Sequence, residues 1–171
     1  PNIWYRARMS WPEGDGTRSV VGVTLPGTPA LIAGSNGDVA WAFTTSGGDW
    51  GDLVVVETDS LDPGRYRTPD GWRDFETVPE VIGIARSAPD TLWIEQTIWG
   101  PLWTEDLQGR PLAFRFAAHD AEAANFELLG METATSVDEV ARRAGSFGVP
   151  GLDLFHADRA GRVGWSLVGR L

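Results

Sequence analysis

Two aspartates and several small polar residues in one short stretch are the residues of this chain best suited to chemistry. Residues 43–57 read FTTSGGDWGDLVVVE, which places Asp49 and Asp52 on either side of a Trp-Gly pair. A glycine-rich turn allows two carboxylates and the intervening Gly51 carbonyl to face one point, and hard oxygen ligands suit Ca²⁺ or Mg²⁺. The spacing differs from an EF-hand loop, which needs alternating acids and a distal glutamate. Spacing alone therefore favours a capped polar turn and keeps a metal site as the alternative.

The histidines and serines do not form an evident catalytic group. His156 lies in a predicted strand, where structural packing is favoured over catalysis, and His119 stands beside an aspartate. No serine occurs in a Gly-x-Ser-x-Gly elbow, and Ser46 lacks the strand-turn-helix context that such an elbow needs. We therefore do not expect a Ser-His-Asp triad contained within this chain.

Nine tryptophans raise the alternative of a stacking platform for sugars or bases. Their large rings make most of them predicted members of the core and its margins. Trp50, between turn glycines and acids, is predicted to be the most exposed. The segment GSNGD resembles a phosphate-binding turn only loosely, because neither a lysine nor a helix follows it.

Composition and charge exclude several classes of protein. The chain has 171 residues, 42% of them hydrophobic, which indicates a packed globular protein. A formal net charge of −10 argues against unaided binding to nucleic acid or an anionic membrane, since both require a basic surface. The absence of cysteine excludes disulfides and thiolate metal sites. No apolar run approaches the roughly 18 residues of a membrane span.

Short β-branched or aromatic runs between turn formers predict consecutive strands. The one clear predicted helix is SVDEVARRAG, where Ser136 and Glu139 form a capping box and Gly145 ends the last turn. Residues 61–71 are turn-rich, and GPLW is predicted to end a strand. The predicted strands are NIWYRARMSW, SVVGVTL, PALIAG, DVAWAFTT, DLVVVE, FETVPEVIGIA, TLWIEQTIW, residues 112–117, LDLFHAD and RVGWSLVG.

Four segments carry a resemblance to a known family: NIWYRARMSWPEGD, VVGVTLPGTPALIAGSNGDVAWAFTTSGGDWGDLVVVE, WGPL and HADRAGRVGWSLVGRL. Together they resemble the penicillin acylase family of N-terminal-nucleophile hydrolases. The resemblance is most specific over residues 22–57 and weakest over 59–111. It implies an α+β fold, the β-rich portion of an αββα sandwich with mostly antiparallel strands and one clear helix. Residues 1–171 would be a single partial domain of the β chain, lacking the nucleophile and the C-terminal part.

The family's reaction uses a serine that self-processing exposes at the start of the β chain. Its α-amino group accepts the hydroxyl proton, so no histidine relay is required. The resemblance places this serine upstream of Pro1, so that residues 1–171 are expected to be inactive alone. It gives the backbone N–H of Thr45 the task of holding the developing oxyanion. The positions that align with the acyl pocket are Ala33, Phe43 and Leu152.

The resemblance also bears on the acidic stretch and on the partners. It identifies Asp49, the Gly51 carbonyl and Asp52 with a structural calcium site whose other ligands lie on other segments, and it implies no organic cofactor. The expected substrates are penicillins, other N-acyl amides or acyl-homoserine lactones. The expected partners are the α chain and the remainder of the β chain of one periplasmic or secreted precursor. The alternatives are a calcium-dependent β-rich binding module and a degenerate, non-catalytic acylase homologue.

Overall fold

The computed structural model describes residues 3–148 and 150–169. By its internal contacts the chain divides into two compact units, Pro1–Trp50 with Asp120–Leu171, and Gly51–His119. We call them the first and the second unit. The single partial domain expected over residues 1–171 stays a prediction.

Strands are the main secondary structure of the described residues, and every pair of named strands is antiparallel. Two short 3-10 helices precede the α-helix, at Ala117–His119 and Glu127–Glu132. The elements are β1 (Tyr5–Glu13), β2 (Gly16–Thr24), β3 (Ala33–Ser35), β4 (Val39–Thr45), β5 (Gly51–Val55), β6 (Arg65–Thr68), β7 (Gly71–Asp74), β8 (Glu76–Ile82), β9 (Asp90–Thr97), β10 (Gly100–Glu105), β11 (Pro111–Phe116), α1 (Val137–Ala144), β12 (Leu152–Asp158) and β13 (Val163–Val168).

The first unit contains a six-stranded sheet in the order β1-β2-β3-β4-β12-β13. Side chains alternate between its two faces, because successive residues of a strand point to opposite sides. The inner face carries the fully buried Val20, Leu154 and Val168, which belong to one apolar cluster with residues of α1. The outer face carries Phe155 and Trp165, paired in register and more than half exposed, at 51% and 58%. The sequence alternation therefore produces one covered face and one open apolar face.

Helix α1 forms where the capping pattern predicts it. The Ser136 hydroxyl accepts the backbone N–H of Glu139 at 3.3 Å. The Glu139 carboxylate reaches the backbone N–H of Thr135 instead of closing a capping box on the N-cap residue. Gly145 follows the helix with a right-handed φ of −67°. Val140 and the last helical alanine are buried, which attaches α1 to the inner face.

A second contact fixes the start of α1. The carboxylate of Asp158, at the end of β12, accepts the backbone N–H of Val137 at 3.1 Å and the Arg162 guanidinium at 2.7 Å. The N–H of Val137 is the main cause that lowers the pKa of Asp158, and Arg162 lowers it further. A carboxylate at a helix N-terminus also interacts favourably with the helix dipole.

The second unit contains a five-stranded sheet, in the order β5-β11-β10-β9-β8, and the hairpin β6-β7. Its core consists of Val56, Tyr66 and Ala113, and Phe75 stacks on the Tyr66 ring at 4.8 Å. The phenolic oxygen of Tyr66 accepts the backbone N–H of Ile98 at 2.9 Å.

One prediction for the second unit is wrong, because GPLW begins strand β10 instead of ending the previous strand. Residues 61–71 do contain turns, and they also contain β6 and the start of β7, which the sequence did not predict. The cause is the same tight turn in TPDG and TIWG. In each, the threonine hydroxyl donates to the glycine carbonyl at 2.8 Å, and the glycine adopts a positive φ of 124° at Gly71 or 137° at Gly100. Only two residues separate the paired strands, so the turn formers belong to hairpins.

Among the described residues, none of the helices has the length and apolar character that a bilayer crossing demands.

Candidate active site

Thr45 is the last residue of β4, and β12 lies beside it. The register pairs Thr45 with Leu152 and Phe43 with Leu154. Val39 and Trp41 alternate inward earlier in the strand, which places Phe43 and Thr45 on the same side as these buried residues. The side chain of Thr45 itself is exposed. The residue predicted to hold an oxyanion thus stands where a strand ends.

Two of the three predicted acyl-pocket residues lie beside this position. Phe43 and Leu152 both pack against the buried cluster of the first unit, and the ring of Phe147 lies 6.4 Å from that of Phe43. Ala33 is elsewhere. It pairs with Val23, and its neighbour in β3 pairs with the inward-facing Trp41, so that Ala33 lies on the outer face. The structure does not bring Ala33 together with Phe43 and Leu152.

The loop after Thr45 is attached to the start of β12. The hydroxyl of Ser46 donates to the carbonyl of Gly151 at 2.8 Å, across a sequence separation of 105 residues. The indole of Trp50 lies directly against Gly151 and also against Gly48, in space that a side chain at either glycine would occupy.

The prediction that Trp50 is the most exposed tryptophan is wrong. Its side chain is half-buried, because Gly48 and Gly151 leave room for the ring. Gly151 is far away in the sequence, so turn composition around Trp50 gave no indication of this contact. Other tryptophans are more exposed, including Trp93 at 65%, Trp103 at 70% and Trp165 at 58%.

The acidic residues lie where the chain passes from the first unit into the second. Asp49, Gly51 and Asp52 are all exposed. Across the parts of the chain that the structure describes, no three His, Cys, Asp or Glu side chains are grouped to hold a metal. Two carboxylates and one carbonyl are suitable donors for Ca²⁺, which takes about six to eight oxygens. They do not complete a site by themselves, and the calcium site stays a prediction.

His156 belongs to the core of the first unit, which confirms structural packing. It is 5% exposed, and its ring occupies the space beside Gly164, where no side chain competes. Its Nε2 lies 3.4 Å from the Ser166 hydroxyl, and its Nδ1 has no hydrogen-bond partner within residues 3–148 and 150–169. Burial lowers the pKa of His156. His119 is exposed and packs edge-on against Phe114 at 5.9 Å.

The buried imidazole predicts a pH dependence of stability. Because the folded state disfavours the proton, the unfolded state binds it first as the pH decreases through about 6.5. The free energy of unfolding should therefore fall from pH 7 until the pH is below the folded-state pKa of His156. Thermal unfolding of the complete protein between pH 7 and 5 measures this effect. His156→Gln should reduce the slope, and a wild-type slope in His156→Gln would contradict the prediction.

The sequence analysis missed the structural importance of Asn36, in the segment GSNGD. Its Nδ2 donates to the carbonyls of Met131 at 3.0 Å and Ala134 at 2.7 Å, with a third contact to the Glu132 carbonyl at 3.3 Å. Its Oδ1 accepts the backbone N–H groups of Asp38 and Val39, both at 2.9 Å. Asn36 therefore connects the β3-β4 turn with the segment before α1. An Asn-Gly pair is typical of a hairpin turn, but it does not identify distant carbonyls.

Comparison with known proteins decides the family. The family model for penicillin amidase matches residues 1–171, the whole chain. The chain belongs to the penicillin amidase family. Curated relatives in this family include acyl-homoserine lactone acylase QuiP of Pseudomonas aeruginosa, 24% identical over 184 residues that cover 99% of this chain. QuiP of Pseudomonas fluorescens is 25% identical over 174 residues that cover 98% of it. The chain spans 21% of the length of each relative.

A solved structure of a family member shows the same fold. The thermostable penicillin G acylase from Alcaligenes faecalis matches with a TM-score of 0.84 and 23% identity, over 100% of this chain and 30% of that chain. The strand-rich, antiparallel organisation with one α-helix is therefore the β-rich portion of the penicillin acylase fold. The resemblance seen in the sequence is confirmed for both family and fold.

Proposed function

We propose that the complete protein containing this segment is an amidohydrolase that cleaves linear N-acyl amide bonds through an acyl-enzyme. The observation that carries the proposal is the position of Thr45. It ends strand β4 beside Phe43 and Leu152, so that a backbone N–H and two apolar side chains occupy one end of the sheet. Family membership supports the same class of reaction.

The proposed task of Thr45 follows from the chemistry of amide cleavage. When a nucleophile attacks the carbonyl carbon, the oxygen gains negative charge, and a fixed N–H donor stabilises it. Such a donor must lie about 2.7–3.1 Å from the oxyanion. A backbone amide at a strand end suits this task, because the sheet fixes its position and the chain turns away beyond it.

The proposed nucleophile is an N-terminal serine from a part of the protein outside residues 1–171. Its Oγ attacks the carbonyl carbon, its own α-amino group takes the hydroxyl proton, and that proton passes to the departing amine. Water then hydrolyses the ester and releases the acid. His156 does not take part in this scheme, because it is buried among core residues.

The proposed acyl site is apolar. Phe43 and Leu152 present carbon surface next to Thr45, and Phe147 extends it. Linear N-acyl amides, acyl-homoserine lactones and penicillins all carry an acyl group that such a surface can bind. The relatives named as acyl-homoserine lactone acylases support acyl-homoserine lactones among these substrates. We do not include Ala33 in this surface, since it lies on the outer face.

The proposed partners are the α chain and the rest of the β chain of one precursor, in the periplasm or secreted. The open outer face supports partners of this kind, with Val21, Phe155 and Trp165 more than half exposed. A calcium ion bound by Asp49, Gly51 and Asp52 would have a structural task in the complete protein.

The proposal predicts amine release from N-acyl amides by the complete processed protein. A panel of penicillin G, N-acyl amino acids and acyl-homoserine lactones of different acyl length is incubated with it, and free primary amine is measured. We expect turnover of at least one linear N-acyl amide. Failure on the whole panel, together with saturable calcium-dependent glycan binding followed by tryptophan fluorescence, would favour the binding module instead. That alternative is weakened by the half-buried position of Trp50.

A further inference from the structure

We propose that Trp50 and Ser46 are positioning residues for the oxyanion donor, and that Gly151 and Gly48 are small so that the Trp50 ring can fit. The inference rests on the proposed function, because Thr45 is the donor that these residues would position. None of them is assigned contact with the substrate.

The register at the end of β4 determines which contacts hold Thr45. Thr45 pairs with Leu152, the first residue of β12, and the regular ladder ends there. Residues 46–50 belong to no helix or strand. A peptide at a strand end has neighbours on one side only, so other contacts must fix its orientation. The contacts made by residues 46–50 therefore decide how rigidly the Thr45 amide is held.

Both contacts of the loop reach the same residue, Gly151. Ser46, directly after Thr45, donates to the Gly151 carbonyl at 2.8 Å. Trp50, at the far end of the loop, lies against the buried Gly151. Gly151 directly precedes Leu152, the partner of Thr45. The loop is thus attached at both ends to the residue next to that partner.

The site of the Trp50 ring leaves no room for a side chain at Gly48 or Gly151. A Cβ at Gly151 would overlap the Cη2 atom of the indole, and a Cβ at Gly48 would lie 2.6 Å from the same atom. Contacts this short do not occur in folded proteins, so either substitution must displace the ring. The ring gains stability from burial of its large apolar area. The two glycines and the tryptophan therefore form one packing unit, and a change in any of them should move the loop.

The expected effect is smaller than the loss of the donor itself. Removing one oxyanion donor typically lowers kcat by about 10² to 10³-fold. A displacement of about 1 Å can cost about 10²-fold when it affects the reacting geometry. We therefore expect Trp50→Ala and Gly151→Ala to lower kcat by about 10 to 100-fold, with KM changed less than about threefold.

The experiment uses the complete processed enzyme and a substrate found in the amine-release panel. The variants are Trp50→Ala, Trp50→Phe, Ser46→Ala and Gly151→Ala. The matched control is Trp72→Ala, since Trp72 is also half-buried and packs on Arg67 at 5.5 Å within its own hairpin. Each variant is measured for kcat, KM, melting temperature and affinity for two ligands. One ligand is a boronic acid that forms a tetrahedral adduct, and the other is the product carboxylic acid.

A positioning role gives a specific pattern. Trp50→Ala should weaken boronic acid binding by the same factor as kcat/KM and leave product binding within about twofold. Trp50→Phe should have a higher kcat than Trp50→Ala. Ser46→Ala should also weaken boronic acid binding more than product binding, with a smaller effect than Trp50→Ala. Trp72→Ala should keep kcat even where it lowers the melting temperature.

Three results would overturn the inference. One is a kcat equal to that of the wild type in both Trp50→Ala and Ser46→Ala. Another is an equal loss of affinity for the boronic acid and for the product carboxylic acid. The third is a loss of kcat in Trp72→Ala as large as in Trp50→Ala. If the wild-type enzyme releases amine and any of these three results is found, the proposed function stands and only the positioning role is rejected. A wild-type enzyme that cleaves no N-acyl amide overturns both.

Discussion

Thr45→Pro is expected to lower kcat of the complete enzyme by about 10² to 10³-fold, whereas Thr45→Ala should keep it within about threefold. The difference in kcat between the two variants isolates the contribution of the backbone N–H of Thr45. Proline removes the amide N–H that is proposed to hold the oxyanion, and alanine removes only an exposed side chain. The expected loss is that of one oxyanion donor.

The position of Thr45 makes this comparison practical. Proline restricts the preceding residue to extended conformations, which Thr44 already has in β4. Steady-state kinetics of both variants, with melting temperatures alongside, provide the measurement. If Thr45→Pro hydrolyses substrate within about threefold of Thr45→Ala, the N–H of Thr45 is not the donor.

Of the substitutions proposed for stability, Asn36→Ala is expected to lower the free energy of unfolding the most. It removes hydrogen bonds to carbonyls of Met131 and Ala134 and from backbone N–H groups of Asp38 and Val39. Unsatisfied buried groups cost about 1–3 kcal/mol each, and water can replace the partners on the exposed side of the turn. We expect the free energy of unfolding to fall by about 3 kcal/mol. Denaturant unfolding of the complete protein measures the change.

Asn125→Ala is the matched control for Asn36→Ala. Asn125 also joins distant backbone groups, donating to Ser146 at 3.0 Å and accepting from Gly148 at 3.2 Å. It is exposed, so that water can satisfy its partners when the amide is removed. We expect a loss of about 1 kcal/mol or less. Equal losses in the two variants would contradict the importance assigned to Asn36.

The sequence predicted those elements whose information is local. β1, β2, β4 and β12 follow β-branched or alternating runs, and α1 follows its N-cap serine. The strands of the second unit that were missed depend on two-residue turns, where the composition of a hairpin resembles that of a loop. Recognition of the Thr-x-x-Gly spacing would have identified both hairpins.

The candidate site was less accessible to sequence reasoning. Thr45 was predicted as the oxyanion donor from resemblance to a family, because a backbone N–H donor cannot be recognised from residue types. The burial of Trp50 depends on Gly151, which is far from it in the chain. The hydrogen bond from Ser46 to Gly151 likewise joins residues 105 positions apart. Ala33 and Phe43 lie on opposite faces of the sheet because of the strand register, which decides the face to which each side chain points.

The intact mass of the complete processed protein, trapped during turnover of an N-acyl amide, tests the central claim most directly. Acid quenching within the first turnovers should leave a covalent acyl group on the N-terminal residue of the chain that contains Thr45. The added mass should equal that of the acyl group, and Thr45→Pro should slow its appearance by about 10² to 10³-fold. A protein that releases amine without ever carrying the acyl group, or that carries it on another residue, would contradict the account.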